Sequence, residues 1–224
     1  MLAVDKSLTF SIANTPDTGE PIFCLSARVV KRLTAHASAD ITRGALNSVL
    51  MEYDPADGVG RIVATDGHRL AIIVATAWKH DRPTVAKRVT LPAGILESAI
   101  KGARGVSVAP NCTEAKVSSL SAGPTRDTLA PSMTATVPLG SGEYPPWERA
   151  VSEGFGSAET RAGAWGMSAG YIADACALAG EFAAERTNGV VVYAPADPLS
   201  PMVVRGQALD DGPAASVVIM PQRL

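Results

Sequence analysis

Aromatic residues make up only 5% of this 224-residue chain and charged residues only 19%, with 20 Lys and Arg set against 22 Asp and Glu. So balanced a charge excludes a cationic field over the whole surface, and any contact with nucleic acid must come from a local basic stripe. The three cysteines, Cys24, Cys112 and Cys176, lie far apart with no C-x-x-C pair, which argues against a disulfide framework and a structural zinc site. No apolar run approaches the roughly 18 to 20 residues needed to cross a bilayer. The start, Met1 to Lys6, lacks the basic and apolar blocks of a secretory signal, so a cytoplasmic location is expected. Metal-protease, nucleophile-elbow, phosphate-loop and dinucleotide-loop motifs are missing, and His36, His68 and His80 are scattered. Neither catalysis, nor a cofactor, nor a metal is expected. What the chain has in quantity is aliphatic material: 46% of its residues are hydrophobic, enough for one large domain or two small ones.

The pattern of that material repeats. After a strand at Leu8 to Ile12 and a Pro/Gly/Thr/Asp-rich loop, Ile22 to Leu25 reads as a strand and Ser26 as the cap of a helix reaching about Ala37. Val29, Val30, Leu33 and Ala37 form the apolar face of that helix, and Arg28, Lys31, Arg32 and His36 lie opposite. Strands at Asn47 to Tyr53, Gly60 to Thr65 and Arg69 to Thr76 follow, divided by the turns Asp54 to Gly58 and Thr65-Asp66-Gly67. The order returns with a strand at Arg88 to Leu91, a helix from Pro92 to about Gly102, and strands at Val106 to Ala109, Ala115 to Leu120, Thr125 to Leu129 and Met133 to Pro138. A third round has Trp165 to Met167, Ser168 capping a helix with Ile172, Ala175, Cys176 and Ala179 on one side, and strands at Val190 to Tyr193, Met202 to Arg205 and Ser216 to Met220. The division expected is an extension at 1–20, a complete two-unit domain at 21–151, a linker at 152–163 and a one-unit half domain at 164–224. The fold class is α+β, with small helices packed on antiparallel sheets.

Particular residues within these units resemble a known family. Thr42 to Glu52 (T-R-G-A-L-N-S-V-L-M-E) and Val63 to Ala71 (V-A-T-D-G-H-R-L-A) resemble the central domain of the bacterial sliding clamp, the beta subunit of DNA polymerase III. Gly142 to Arg149 (G-E-Y-P-P-W-E-R) and the ending Val217 to Leu224 (V-V-I-M-P-Q-R-L) resemble that family's later segments, in the same order. The resemblance implies a DNA-clamp fold, without the first domain and the first half of the third. It also implies a groove that takes short extended peptides from polymerases, the clamp loader and repair proteins. The matching groove positions are Leu46, Thr65, Gly67, His68, Arg69, Leu70, Pro145, Arg149, Val218, Met220, Pro221, Arg223 and Leu224. Leu70, Val218, Met220 and Pro221 would wall it, with Arg69, Arg149 and the Leu224 carboxylate on its rim. Gln222 and Ala150 stand where the family often has larger apolar residues, which implies altered peptide preference.

On the same resemblance, helices line a central hole and meet duplex DNA through phosphates, without reading bases. Arg28, Lys31 and Arg32 fit that role, with Arg43, Lys101 and Arg104 beside them. On the third helix Asp174 and Glu181 sit on the side away from Ile172 and Cys176 with no basic residue of that helix to compensate, and the helix is expected to repel phosphate. The family's ring holds roughly twelve units, so this chain would need a homo-oligomer, a tetrameric ring or a dimer, to act in that way. The function implied is a replication or repair accessory factor that tethers partners to DNA. The rival is a peptide-binding adaptor or decoy that keeps the groove and never encircles DNA.

Overall fold

A computed structural model describes residues 9–15, 17–77, 82–123, 128–140, 142–156, 167–183, 189–193, 200–207 and 213–220. The first unit comprises strand β2 (Pro21–Ser26), helix α1 (Ala27–Thr34) and a meander of β3 (Ser48–Asp54), β4 (Val59–Thr65) and β5 (Arg69–Thr76), preceded by β1 (Phe10–Asn14). The second repeats it with β6 (Lys87–Pro92), α2 (Ala93–Ala99), β7 (Gly105–Pro110), β8 (Glu114–Ala122) and β9 (Leu129–Pro138). Helix α3 (Trp147–Gly156) connects to the third unit, α4 (Ala169–Gly180), β10 (Val191–Tyr193), β11 (Met202–Gln207) and β12 (Ala214–Ile219).

The units exchange strands. The first strand of each of the first two units joins the meander of the other, giving a five-stranded sheet in the order β1-β2-β7-β8-β9 and a seven-stranded sheet in the order β10-β11-β12-β5-β4-β3-β6, with every pairing antiparallel. The seven-stranded sheet runs unbroken from the first unit into the third, because β12 pairs with β5 from Val74↔Ala214 to Arg69↔Ile219. The expected α+β architecture of small helices packed on antiparallel sheets is therefore present. The N-terminal strand joins it too, since β1 lies along β2 from Phe10↔Leu25 to Asn14↔Pro21.

Period-two alternation divides the core. In β3, Val49, Met51 and Tyr53 join a large core shared by both sheets and by α1, α2 and α4, while Leu50 joins a smaller cluster with Val63, Leu70, Ile72, Tyr144, Val203 and Val218. Trp147, Ala150 and Val151 of α3 pack onto this second cluster, and the Tyr144 hydroxyl donates to the Val63 carbonyl at 3.1 Å. The spacing of these three α3 residues is helical, and the helix runs beyond Ser152, where a linker was expected.

Ser26 caps α1 by accepting from the Val29 amide at 3.3 Å, and Ser168 caps α4 by accepting from the Tyr171 amide at 3.5 Å. Helix α1 stops at Thr34, short of Ala37, because His36 and Ala37 bond back only three residues, to the Leu33 and Thr34 carbonyls. Helix α2 likewise ends at Ala99, before Gly102. Helix α4 buries Ala175, Leu178 and Ala179, whereas Ile172, expected on that face, is exposed. Its close approach to β11 depends on Gly206, where a Cβ would lie 1.7 Å from the Ala179 carbonyl oxygen.

The two strands expected at Thr125 to Leu129 and Met133 to Pro138 are one strand from Leu129 onward, and residues 124–127 lie outside the described residues. Pro131 is accommodated because β9 is an edge strand and the ladder shifts register between Ser119 and Leu120.

Candidate functional site

The turn between β4 and β5 organises one candidate site. Thr65 Oγ1 accepts from the Gly67 amide at 3.1 Å and donates to the Arg69 carbonyl at 2.7 Å. Asp66 Oδ1 accepts from the amides of His68 (2.8 Å) and Arg69 (3.0 Å). The loop closes only because Gly67 takes φ +94, a conformation that side chains disfavour. Next to it the Met220 amide donates to the His68 carbonyl at 3.0 Å, and Leu70 pairs with Val218 across the β5–β12 joint.

This arrangement gathers Thr65, Gly67, His68, Leu70, Val218 and Met220 at one end of the seven-stranded sheet. Leu46 joins them, its Cδ1 lying 3.9 Å from where a Gly67 Cβ would stand. Leu70 and Val218 are buried under Tyr144 and α3, so the floor is apolar and mostly roofed, while His68 and Met220 are exposed. Pro145, just before α3, is half-buried, and Arg149, on α3, is exposed. Pro221, Arg223 and Leu224 lie outside the described residues.

Arg69 departs from the expectation of a rim contact. Strand alternation turns it to the face opposite Leu70, the side of α1 and α4. Its Nε meets Asp66 Oδ2 at 3.0 Å, its Nη1 meets Asp174 Oδ2 at 2.6 Å, and its Nη2 donates to the Ala35 carbonyl at 2.6 Å. The guanidinium also stacks 4.4 Å from the centre of the Tyr171 ring. With its side chain 10% exposed, Arg69 ties the turn, the end of α1 and α4 together. Asp174 therefore has the basic partner that its own helix does not supply, and the repulsion expected of it is offset.

His36 lies beneath this knot, fully buried, with Nδ1 at 2.9 Å from the Arg32 carbonyl. Burial lowers its pKa to about 4, so the ring is neutral at pH 7 and Nδ1 carries the proton it donates.

The second candidate site is the helix layer. Helix α1 contacts both α2 and α4, so the three lie in a row with α1 in the middle. Arg28, Lys31 and Arg32 are exposed on α1, and Lys101 and Arg104 are exposed just after α2. Among the described residues no ion pair holds any of these five. Arg43 is exposed as well, but it donates to the Asp66 carbonyl at 3.2 Å and so braces the turn.

Sequence reasoning missed α3 as the roof of the apolar floor and Asp174 and Tyr171 as partners of Arg69. The helical spacing of Trp147, Ala150 and Val151 carried the first signal. The second has no local signal, because Arg69 and Asp174 are 105 residues apart.

Comparison with family models and with curated protein sequences returns no match. Solved structures do match. A chain described as a DNA polymerase III beta subunit from Eubacterium rectale superposes with TM-score 0.62 at 12% identity, over 95% of this chain and 76% of that one. The Helicobacter pylori beta clamp in complex with diflunisal gives 0.61 at 14% identity, over 100% and 68%. The Thermotoga maritima beta subunit gives 0.58 at 16% identity, over 91% and 65%. The chain thus spans about two thirds of the length of most of these clamps. With its exchanged strands, its row of three helices and its β5–β12 joint, the chain is a shorter form of the DNA polymerase III beta sliding-clamp fold.

Proposed function

We propose that this protein is a sliding-clamp-like accessory factor for DNA replication or repair, which holds partner proteins on duplex DNA through a peptide groove. The observation that carries this reading is the basic face of α1 at the centre of a three-helix layer, on the other side of the sheet from the apolar floor of Leu70 and Val218. One face then serves phosphates and the other serves peptides. Each can be occupied without displacing the other.

On the DNA side, Arg28, Lys31 and Arg32 supply non-specific contacts to the phosphate backbone, with Lys101 and Arg104 extending the stripe. Such contacts are weak and fall with salt, so persistence on DNA comes from several chains enclosing the duplex as a homo-oligomer. On the peptide side, an extended segment from a polymerase, clamp loader or repair protein places apolar anchors against Met220, Leu46 and the narrow exposed margin of Leu70, above the buried Val218, with His68, Pro145 and Arg149 along its path. Binding there raises the partner's local concentration at the DNA and requires no bond making or breaking.

The test uses a labelled clamp-binding peptide carrying Gln, Leu and Phe anchors, titrated into the protein and into a Met220→Asp variant. Affinity is expected to fall at least tenfold, because a carboxylate in an apolar subsite forfeits burial and stays unpaired. Equal affinity removes the groove from the account.

A further inference from the structure

The chain contains one filled joint between units and one open counterpart. At the filled joint, β5 and β12 are the last strands of the first and third units, paired antiparallel over six residues, with α1 and α4 in contact beside them. The residues that face the main core there, Ala71, Ile73, Ala215, Val217 and Ile219, are fully buried. Strand β9 is the last strand of the second unit and stands in the same place within its own repeat. Its outer edge has no partner among the described residues. Met133, Ala135 and Val137 of β9 border an open apolar groove of about 310 Å³ together with Ile95 and Ala99 of α2. Met133 is 66% exposed.

We infer that this edge and groove bind a second copy of the chain, with β9 pairing antiparallel to β9 of that copy about a twofold axis and the two α2 helices lying alongside one another as α1 and α4 do.

Charge selects this occupant. Leu129–Pro138 contains no charged residue, whereas a twofold pairing sets each residue against itself or a near neighbour, where any charge would meet its own kind. A long uncharged edge is otherwise an aggregation hazard, which sequences normally blunt with Lys or Glu. The strand is instead bounded by Pro131 and Pro138, leaving Ser132 to Val137 free to pair, the six-residue length of the β5–β12 ladder. Residues paired across a ladder share a face, so the axis passes through Thr134 or Ala135. Met133 then meets Ala135 or Val137 of the second copy, closing the groove from both sides. The interface stands apart from the peptide and DNA readings, since neither Met220 nor the basic face of α1 takes part in it.

Absolute mass by light scattering on the full chain tests the inference, comparing wild type with Ala135→Lys and with a neutral Ala135→Ser control. The position is exposed within the single chain, so the lysine is tolerated there and repels only across the axis. The mass is expected to halve for Ala135→Lys and to be unchanged for Ala135→Ser. As an independent readout, Thr134→Cys in a background with Cys112→Ser and Cys176→Ser is treated with a short bis-maleimide and is expected to give a two-chain product well above background. A wild type that is monomeric across the concentration range, a lysine variant of unchanged mass, or cross-linking no greater than background overturns the inference. Peptide titration on the same lysine variant is expected to match wild type, so loss of the interface and failure of the groove reading are told apart.

Discussion

Replacing Arg69 with Met tests the reading of that residue as an internal tie, because the thioether keeps the apolar stem and removes the guanidinium. Three charged hydrogen bonds and a ring contact disappear. The Asp66 bond joins side chains 10% and 16% exposed, but Asp66 keeps its two backbone donors, so the loss there is about 1 kcal/mol. Asp174 is 42% exposed and can be rehydrated, which limits that pair to under about 1 kcal/mol. The Ala35 carbonyl loses a charged donor, and Tyr171 loses a cation over its face, each worth about 1 kcal/mol. The expected destabilisation is about 3 kcal/mol in urea unfolding followed by far-UV circular dichroism, with an unchanged m-value. Asp174→Asn costs about 1 kcal/mol or less, and the double variant falls short of the sum because both changes act on one contact. A loss below 1 kcal/mol for Arg69→Met, joined to a large fall in peptide affinity of the folded protein, would return Arg69 to the groove rim and refute the reasoning.

Further consequences follow from single residues. His36 is neutral in the fold with its pKa near 4, whereas the unfolded ring titrates near 6.5; stability is therefore fully present above pH 6.5 and declines as pH falls toward 4, by up to about 3 kcal/mol. His36→Gln flattens that slope in urea midpoints measured across this window. Gly206→Ala forces a methyl into the Ala179 carbonyl oxygen and is expected to cost at least about 2 kcal/mol by lifting α4 from β11, read as a lowered melting temperature. Reversing Arg28, Lys31 and Arg32 to Glu leaves peptide affinity unchanged. If each residue neutralises one phosphate, it also lowers the slope of log affinity for duplex DNA against log salt by about 3; an unchanged slope takes DNA off this face.

Much of the fold was legible locally. Ser26 and Ser168 sit where capped helices begin, and the alternation in Val49 to Tyr53 separates the two cores that the strand divides. The repeat of helix and meander held in all three units, within the described residues. The exchange of first strands between units was not legible, since β2 and β7 are joined by sequence-distant pairing that leaves no local trace. The two strands expected at Thr125 to Leu129 and Met133 to Pro138 merge from Leu129 onward because an edge strand tolerates Pro131, and edge position is set by the whole topology. Of the expected groove, Thr65, Gly67, His68, Leu70, Val218 and Met220 come together as neighbours of one turn and one ladder. Arg69, expected on the rim beside Leu70, faces α1 and α4 instead, as alternation along the strand requires.

The central claim is topological attachment to DNA, and one measurement addresses it directly. The protein is assembled by dilution and reconcentration in the presence of a nicked circular duplex, and its retention on that DNA is measured by gel filtration before and after a single restriction cut. The account predicts retention on the circle at salt high enough to abolish phosphate contacts, and release once the DNA is linear. Equal behaviour on circle and line, whether bound to both or to neither, contradicts encirclement.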